Sequence, residues 1–170
     1  MPNMKPISPT KALDKLHPLQ CVFVVSVDEK GKPNGMTASW FFQTSFEPPM
    51  VAVAIGKDRF TYSLIKDSKE FVIAIPNKKL IKTALIFGHT SGKDTDKFEK
   101  SGVKTAKAKC IRSPLIAEAT LNYECKVVNM IDTGDHSIFI GEVVASWINE
   151  NEKVLMNMGR TDGKRLFEEF

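Results

Sequence analysis

The chain has 170 residues, of which 42% are apolar and 26% charged, and a formal net charge of +4. That length suits one domain whose core needs no metal or disulfide staple. The composition excludes disordered, collagen-like and coiled-coil chains. Three scattered cysteines, Cys21, Cys110 and Cys125, form no CxxC and have no histidines at zinc spacing, so they read as reduced thiols and not as a metal site.

No apolar run approaches the ~18 residues of a membrane span. The first ten residues hold three prolines and no apolar stretch, so no signal peptide is expected. The expectation is a cytoplasmic protein with no membrane contact. Charge is unevenly spread: residues 1–110 carry +8 and residues 111–170 carry −4. A basic half suggests an anionic partner, whereas the plainer reading is solvated lysines. Nucleic acid is set aside, because the lysine run over 93–109 has no interleaved aromatic except Phe98.

In chain order, residues 1–17 read as an arm with a short helix over 11–16. Residues 21–27 (CVFVVSV) are a β-branched apolar run closed by a Gly/Pro/Asn turn, and a second strand covers 36–42. Two adjacent prolines, Pro48 and Pro49, leave a loop before the strand 50–55. A short helix follows over 60–66, then a strand over 71–75. Asn77 can cap a longer helix with Leu80, Ile81, Ala84 and Leu85 on one face and Gly88 as its stop. A short turn over 94–100 ends at Gly102. Period-2 alternation from Leu121 to Val127, a Gly/Asp turn and a returning strand over 138–147 signal a hairpin. Many short strands, few helices and no βαβ rhythm predict a mainly β, antiparallel barrel. One domain spans 1–170, with a core over about 18–150, the arm before it and a tail over 151–170.

Four segments could carry chemistry. Asn34-Gly35-Met36-Thr37-Ala38-Ser39-Trp40 places small residues at a strand end, where a planar or phosphorylated ligand can reach backbone N–H groups; a strand facing a crowded core reads equally well. Gly56-Lys57-Asp58-Arg59-Phe60-Thr61-Tyr62-Ser63 combines cations, hydroxyls and a helix start, which suits phosphate, against a loop merely capped by Asp58. Phe87 to Phe98 (FGHTSGKDTDKF) is a polar loop with no Walker spacing, and His89 in it could be a contact or plain surface. His136, at a turn-to-strand junction, could donate to a ligand or only rigidify the turn with Asp135. There is no HExxH, GxSxG or GxGxxG. Cys110 follows three lysines, which would favour its thiolate, but that idea ranks low.

Taken in order, NGMTASW (34–40), SFEPP (45–49), KDRFT (57–61), EFVIAIP (70–76), SGKDTDKF (91–98) and GDHSIFIGEV (134–143) resemble the flavin reductase-like family from about residue 18 to 147. Flavoredoxins and stand-alone flavin or ferric reductases are the nearest members by this resemblance. It implies the FMN-binding, antiparallel Greek-key split barrel, a homodimer, and FMN (FAD as the alternative) at the subunit interface with NAD(P)H as donor. By position, Met36, Thr37, Ala38, Ser39 and Trp40 would line the flavin. Gly56, Lys57, Arg59, Thr61 and Ser63 would serve its phosphate end. Gly88, His89, Thr90 and Ser91 would cover the ring, Lys97 and Phe98 would close the tail pocket, and His136 would position the nicotinamide. Lys57 departs from the serine of many reductases. The implied function is hydride transfer from NAD(P)H to flavin and onward transfer to a protein or ferric acceptor. The alternatives are a flavoredoxin-type electron carrier and a plain FMN-binding domain.

Overall fold

The computed structural model describes residues 4–150 and 152–170. A short helix α1 (Pro9–Leu13) leads to β1 (Leu19–Gln20) and β2 (Val22–Val27), followed by β3 (Pro33–Ala38), β4 (Phe41–Phe46) and β5 (Pro49–Gly56). Helix α2 (Phe60–Ser68) precedes β6 (Glu70–Ile75), and a 3-10 turn, Lys78–Leu80, runs into α3 (Ile81–His89). After α4 (Lys97–Ser101) come the short strands β7 (Thr105–Ala106) and β8 (Leu115–Ile116). Two hairpins finish the chain: β9 (Leu121–Thr133) with β10 (His136–Ile148), and β11 (Leu155–Thr161) with β12 (Lys164–Glu169).

Seven strands form one antiparallel sheet in the order β3-β2-β6-β9-β10-β5-β4. Its two edges, β3 and β4, are consecutive in the chain and separated by Ser39 and Trp40 alone. So short a link brings the two edges of the sheet together at that corner, which suits a curled, barrel-like sheet. The long-range neighbours β2–β6 and β10–β5 give the Greek-key order. The fold is therefore mainly β with a few short helices, as the sequence predicts.

Strand β2 shows why CVFVVSV is apolar without alternation. Val22 and Val24 face the barrel interior with Val53, Ile55, Phe71, Ile73 and Phe139. Cys21, Phe23 and Val25 face the other way, into a second core with Ala84, Phe87, Phe98 and Leu155. A strand covered on both faces needs apolar residues at every position. Strand β6 divides its residues between the two cores in the same way.

Several boundaries differ from expectation. Helix α1 starts at Pro9 and ends at Leu13, because proline is well placed in a first helical turn. The predicted strand over 36–42 is two strands: β3 begins at Pro33, and β4 starts anew after the corner. Pro49 opens β5, a first-residue position where a missing N–H is tolerated. Asn77 caps the 3-10 turn, its Oδ1 accepting from the Lys79 N–H at 3.1 Å. Helix α3 runs through Gly88 to His89, and its buried face is Thr83, Ala84 and Phe87, with Leu85 exposed. The predicted tail is a hairpin paired with β1 through Leu19 and Gln20. Its turn, Asp162-Gly163, has φ of 51° and 76°, the positive pair that two-residue hairpins require.

Candidate functional site

The barrel's split corner holds a cleft of about 1030 Å³, at the upper end of ordinary ligand pockets (~300–1,000 Å³). Its floor is β3 and the corner, Met36 to Trp40; one wall is the end of α3 and the loop Gly88 to Gly92. Opposite stand Gly56 and Asp58 to Thr61 at the start of α2, with His136 at the start of β10.

Local hydrogen bonds show which groups are committed to the fold. The Thr37 hydroxyl donates to the Ala84 carbonyl at 2.7 Å, so its proton serves α3. Thr61 Oγ1 instead accepts from Asn34 Nδ2 at 2.9 Å, which leaves its own proton to donate. Ser39 Oγ likewise accepts from Asn157 Nδ2 at 3.0 Å. His89 Nδ1 and the Thr90 hydroxyl each sit 2.8 Å from carbonyls of α3's last turns, Leu85 and Ile86.

Lys97 is the main electrostatic feature. Its side chain is 5% exposed, and Nζ donates to the Gly35 carbonyl at 2.8 Å and the Phe87 carbonyl at 3.1 Å. Burial, and then the charge of Arg59, lower its pKa to about 8. An ammonium has three donors, so one remains for the cleft that Lys97 lines.

Beside Gly56, His136 Nδ1 lies 2.6 Å from Asp135 Oδ1. A carboxylate only accepts, so Nδ1 carries the proton and Nε2 is left to face a ligand. The His136 hydrogen bond, and then its charge, hold the Asp135 carboxyl below its ordinary pKa. The imidazole packs on the Trp40 indole.

Fourteen of the seventeen predicted site residues line this cleft. Lys57, Ser63 and Phe98 are not among its lining residues. Lys57 Nζ donates to the Gly134 carbonyl at 3.2 Å and pairs with Asp132 at 3.7 Å, bracing the β9–β10 turn. The Ser63 hydroxyl returns to the Phe60 carbonyl within α2. Phe98 packs on Phe87, centroids 5.2 Å apart, inside the second core.

Sequence reasoning missed a whole wall. Leu13, Asp14, Lys15 and His17 of the arm line the cleft with Asn157, Gly159, Arg160 and Arg165 of the last hairpin. His17 ties the two together, its Nδ1 being 3.2 Å from the Asn157 carbonyl. The Asp-Gly turn between alternating residues was the available signal.

These residues fit a flavin nucleotide. Met36, Ala38 and Trp40 offer apolar contacts, and Arg59, Thr61 and Lys97 offer charge and hydroxyl donors, with Asp14 and Asp58 the cleft's carboxylates. No helix among the described residues is long and apolar enough to cross a membrane.

The sequence matches the family described as flavin reductase like domain over residues 17–164. An uncharacterised protein of Archaeoglobus fulgidus is 42% identical over 132 residues, which span 78% of this chain and 73% of that one. The NADH-dependent FAD reductase of Streptomyces globisporus is 31% identical over 116 residues, 68% of this chain but 63% of its own. The flavoredoxin of Methanosarcina acetivorans superposes with a TM-score of 0.84 at 23% identity, covering 99% of this chain and 91% of that one. That last likeness concerns the fold.

Proposed function

The chain belongs to the flavin reductase-like domain family, and on that premise we propose that its cleft holds FMN and serves hydride transfer from NAD(P)H to the flavin. FAD is the alternative flavin. Bound there, the flavin supplies the hydride-accepting chemistry, so the protein needs no nucleophile or metal of its own. Its task is to orient two rings and hold their phosphates.

The single observation that carries this reading is the cleft's composition along one strand. Apolar ring contacts at Met36, Ala38 and Trp40 adjoin the cationic end made by Arg59 and Lys97. Thr61 has a hydroxyl proton to give there. Beside Gly56 and Arg59, His136 and Trp40 form a paired edge suited to a second planar ring. Gly88, His89, Thr90 and Ser91 form the wall over it.

The reading includes a homodimer. Phe46 is 88% exposed and Phe42 54% exposed on the edge strand β4. Large aromatics on an uncovered edge favour association with a second copy. The acceptor is an electron-accepting protein or a ferric complex.

The purified protein should be yellow, and anaerobic mixing with NADH and NADPH should bleach its band near about 450 nm, typical of oxidised flavin. Rapid bleaching by either nucleotide supports the reductase. Tight flavin binding without bleaching supports an electron carrier fed by a protein. Protein that binds neither FMN nor FAD rejects both.

A further inference from the structure

We propose that Arg160 and Arg165, paired across the C-terminal hairpin, form a phosphate-binding clasp that takes a nucleotide phosphate or pyrophosphate in the cleft. The inference rests on the nucleotide-binding reading above and adds a second anionic subsite to it.

The two arginines are direct partners in the β11–β12 register. Directly opposed residues of an antiparallel pair project to the same face, and like charges there are destabilising. Both line the cleft. Arg165 is half-buried and shares its face with Phe167, which packs against the second core. That face points inward, over the contact between α3 and β3. A Cβ placed on Gly88 would stand 3.6 Å from Arg165 Nη1 and 3.5 Å from Thr37 Cβ.

Among the described residues, neither arginine forms an ion pair within 4.0 Å or donates a side-chain hydrogen bond. A plain structural role would be to cap α3, whose C-terminal carbonyls attract cations. Four carbonyls near that end already have side-chain donors: Thr37 on Ala84, His89 on Leu85, Thr90 on Ile86 and Lys97 on Phe87, and neither arginine donates to those of Gly88 or His89. Burial, and then the Arg160 charge, push the Arg165 pKa down, so the guanidinium sits where a compensating anion is wanted.

The platform is rigid. Leu155 is fully buried and its N–H donates to the Pro76 carbonyl at 2.8 Å, and the Asn157 side chain holds Ser39. Two guanidinium forks on such a wall match phosphate oxygens bidentately. The clasp is also distinct from the Arg59 end. Thr61 holds β3 at Asn34, whereas Arg165 Nη1 stands beside Gly88 near the end of α3.

The test compares wild type with R165Q, R165K and R160Q/R165Q by titration with FMN against riboflavin and ADP-ribose against adenosine. Each pair isolates the phosphate. In wild type the phosphate-bearing member binds more tightly in at least one pair. The double variant should lose at least tenfold of that preference, with the phosphate-free member within twofold of wild type, and R165K should recover part of it. Collapse of the FMN preference assigns the clasp to the flavin's phosphate; collapse of the ADP-ribose preference assigns it to the nicotinamide nucleotide. Inorganic pyrophosphate should raise the melting temperature of wild type and leave the double variant unmoved.

Preferences that survive in the double variant overturn the proposal. So does a ligand-free melting temperature below wild type, since that would mean the arginines serve the fold. Wild type that binds no flavin rejects the proposed function, while the pyrophosphate and ADP-ribose arms still decide the clasp.

Discussion

The indole of Trp40 and the imidazole of His136 lie with ring centroids 4.7 Å apart and planes inclined by 41°. The first comes from the corner between β3 and β4, the second from the start of β10, and they meet because His136 pairs with Gly56 in the β5–β10 register. With Nδ1 committed to Asp135, Nε2 is the imidazole's contact for a ligand. Replacing His136 with Ala should raise the KM for NADH by about 5–30-fold, the worth of one hydrogen bond plus ring packing. The FMN Kd should stay within about twofold by the same argument. Asp135→Asn should give a smaller effect in the same direction. Steady-state kinetics beside an FMN titration decide it, and an unchanged NADH KM removes His136 from nicotinamide positioning.

Lys97 makes a pH prediction. Its folded pKa of about 8 lies below the ordinary lysine value. Below pH 8 the ammonium is charged in both folded and unfolded chains, and the burial penalty is fully present. Between about 8 and the ordinary ~10.4, the unfolded chain holds a proton that the folded one has lost, so this group's contribution to stability rises with pH. Binding runs the other way. FMN affinity should fall as pH rises through about 8, the value at which the cleft loses this charge. Lys97→Met should flatten that profile, measured by flavin fluorescence at several pH values. It should also lower thermal stability, because the Gly35 and Phe87 carbonyls lose their donor.

Legibility of the fold followed burial. Strands β2 and β6 are apolar at every position because both faces are covered, and such runs announce themselves. Strand β4, FFQTSF, did not, because the corner at Ser39-Trp40 contains no Gly or Pro to mark where β3 stops. The cleft's floor and α2 end were readable as small residues and cations beside a helix start. Its third wall was not. The last sixty residues sum to −4, and that total conceals two cations which the β11–β12 register sets side by side. Lys57 and Lys97 look alike in sequence; only the fold shows that one braces a turn and the other reaches the cleft.

Glu124 is fully buried, yet its carboxylate accepts from the N–H groups of Lys109 and Cys110 at 2.9 and 2.6 Å and from the Trp147 indole at 2.8 Å. Burial raises its pKa, and these N–H donors outweigh burial to hold it below the ordinary value. It therefore pins the loop after α4 onto the long hairpin. Glu124→Gln turns an amide NH2 toward donors and should destabilise the protein by about 2–4 kcal/mol in urea unfolding at pH 7. The gap should narrow in acid. A depressed carboxylate pKa contributes stability above the unfolded value, ~4.3, and loses it as pH falls through the folded one. A gap that stays constant down to pH 3 would mean the carboxylate's charge is not what holds the loop.

Phe46 tests the dimer and its link to the cleft. An aromatic that is 88% exposed on an edge strand is an aggregation hazard in a monomer. In the proposed homodimer the same ring would be covered. Strand β4 leaves the corner that supplies Ser39 and Trp40 to the cleft floor, so an interface on β4 adjoins the proposed flavin site. Phe46→Asp should shift the protein to monomer in sedimentation velocity and weaken FMN binding by at least tenfold, about 1.4 kcal/mol or more. The substituted side chain is on the surface of one chain, so the monomer should keep its far-ultraviolet circular dichroism. A monomeric variant with wild-type FMN affinity would place the whole flavin site within one chain. A variant that remains dimeric would move the interface off β4.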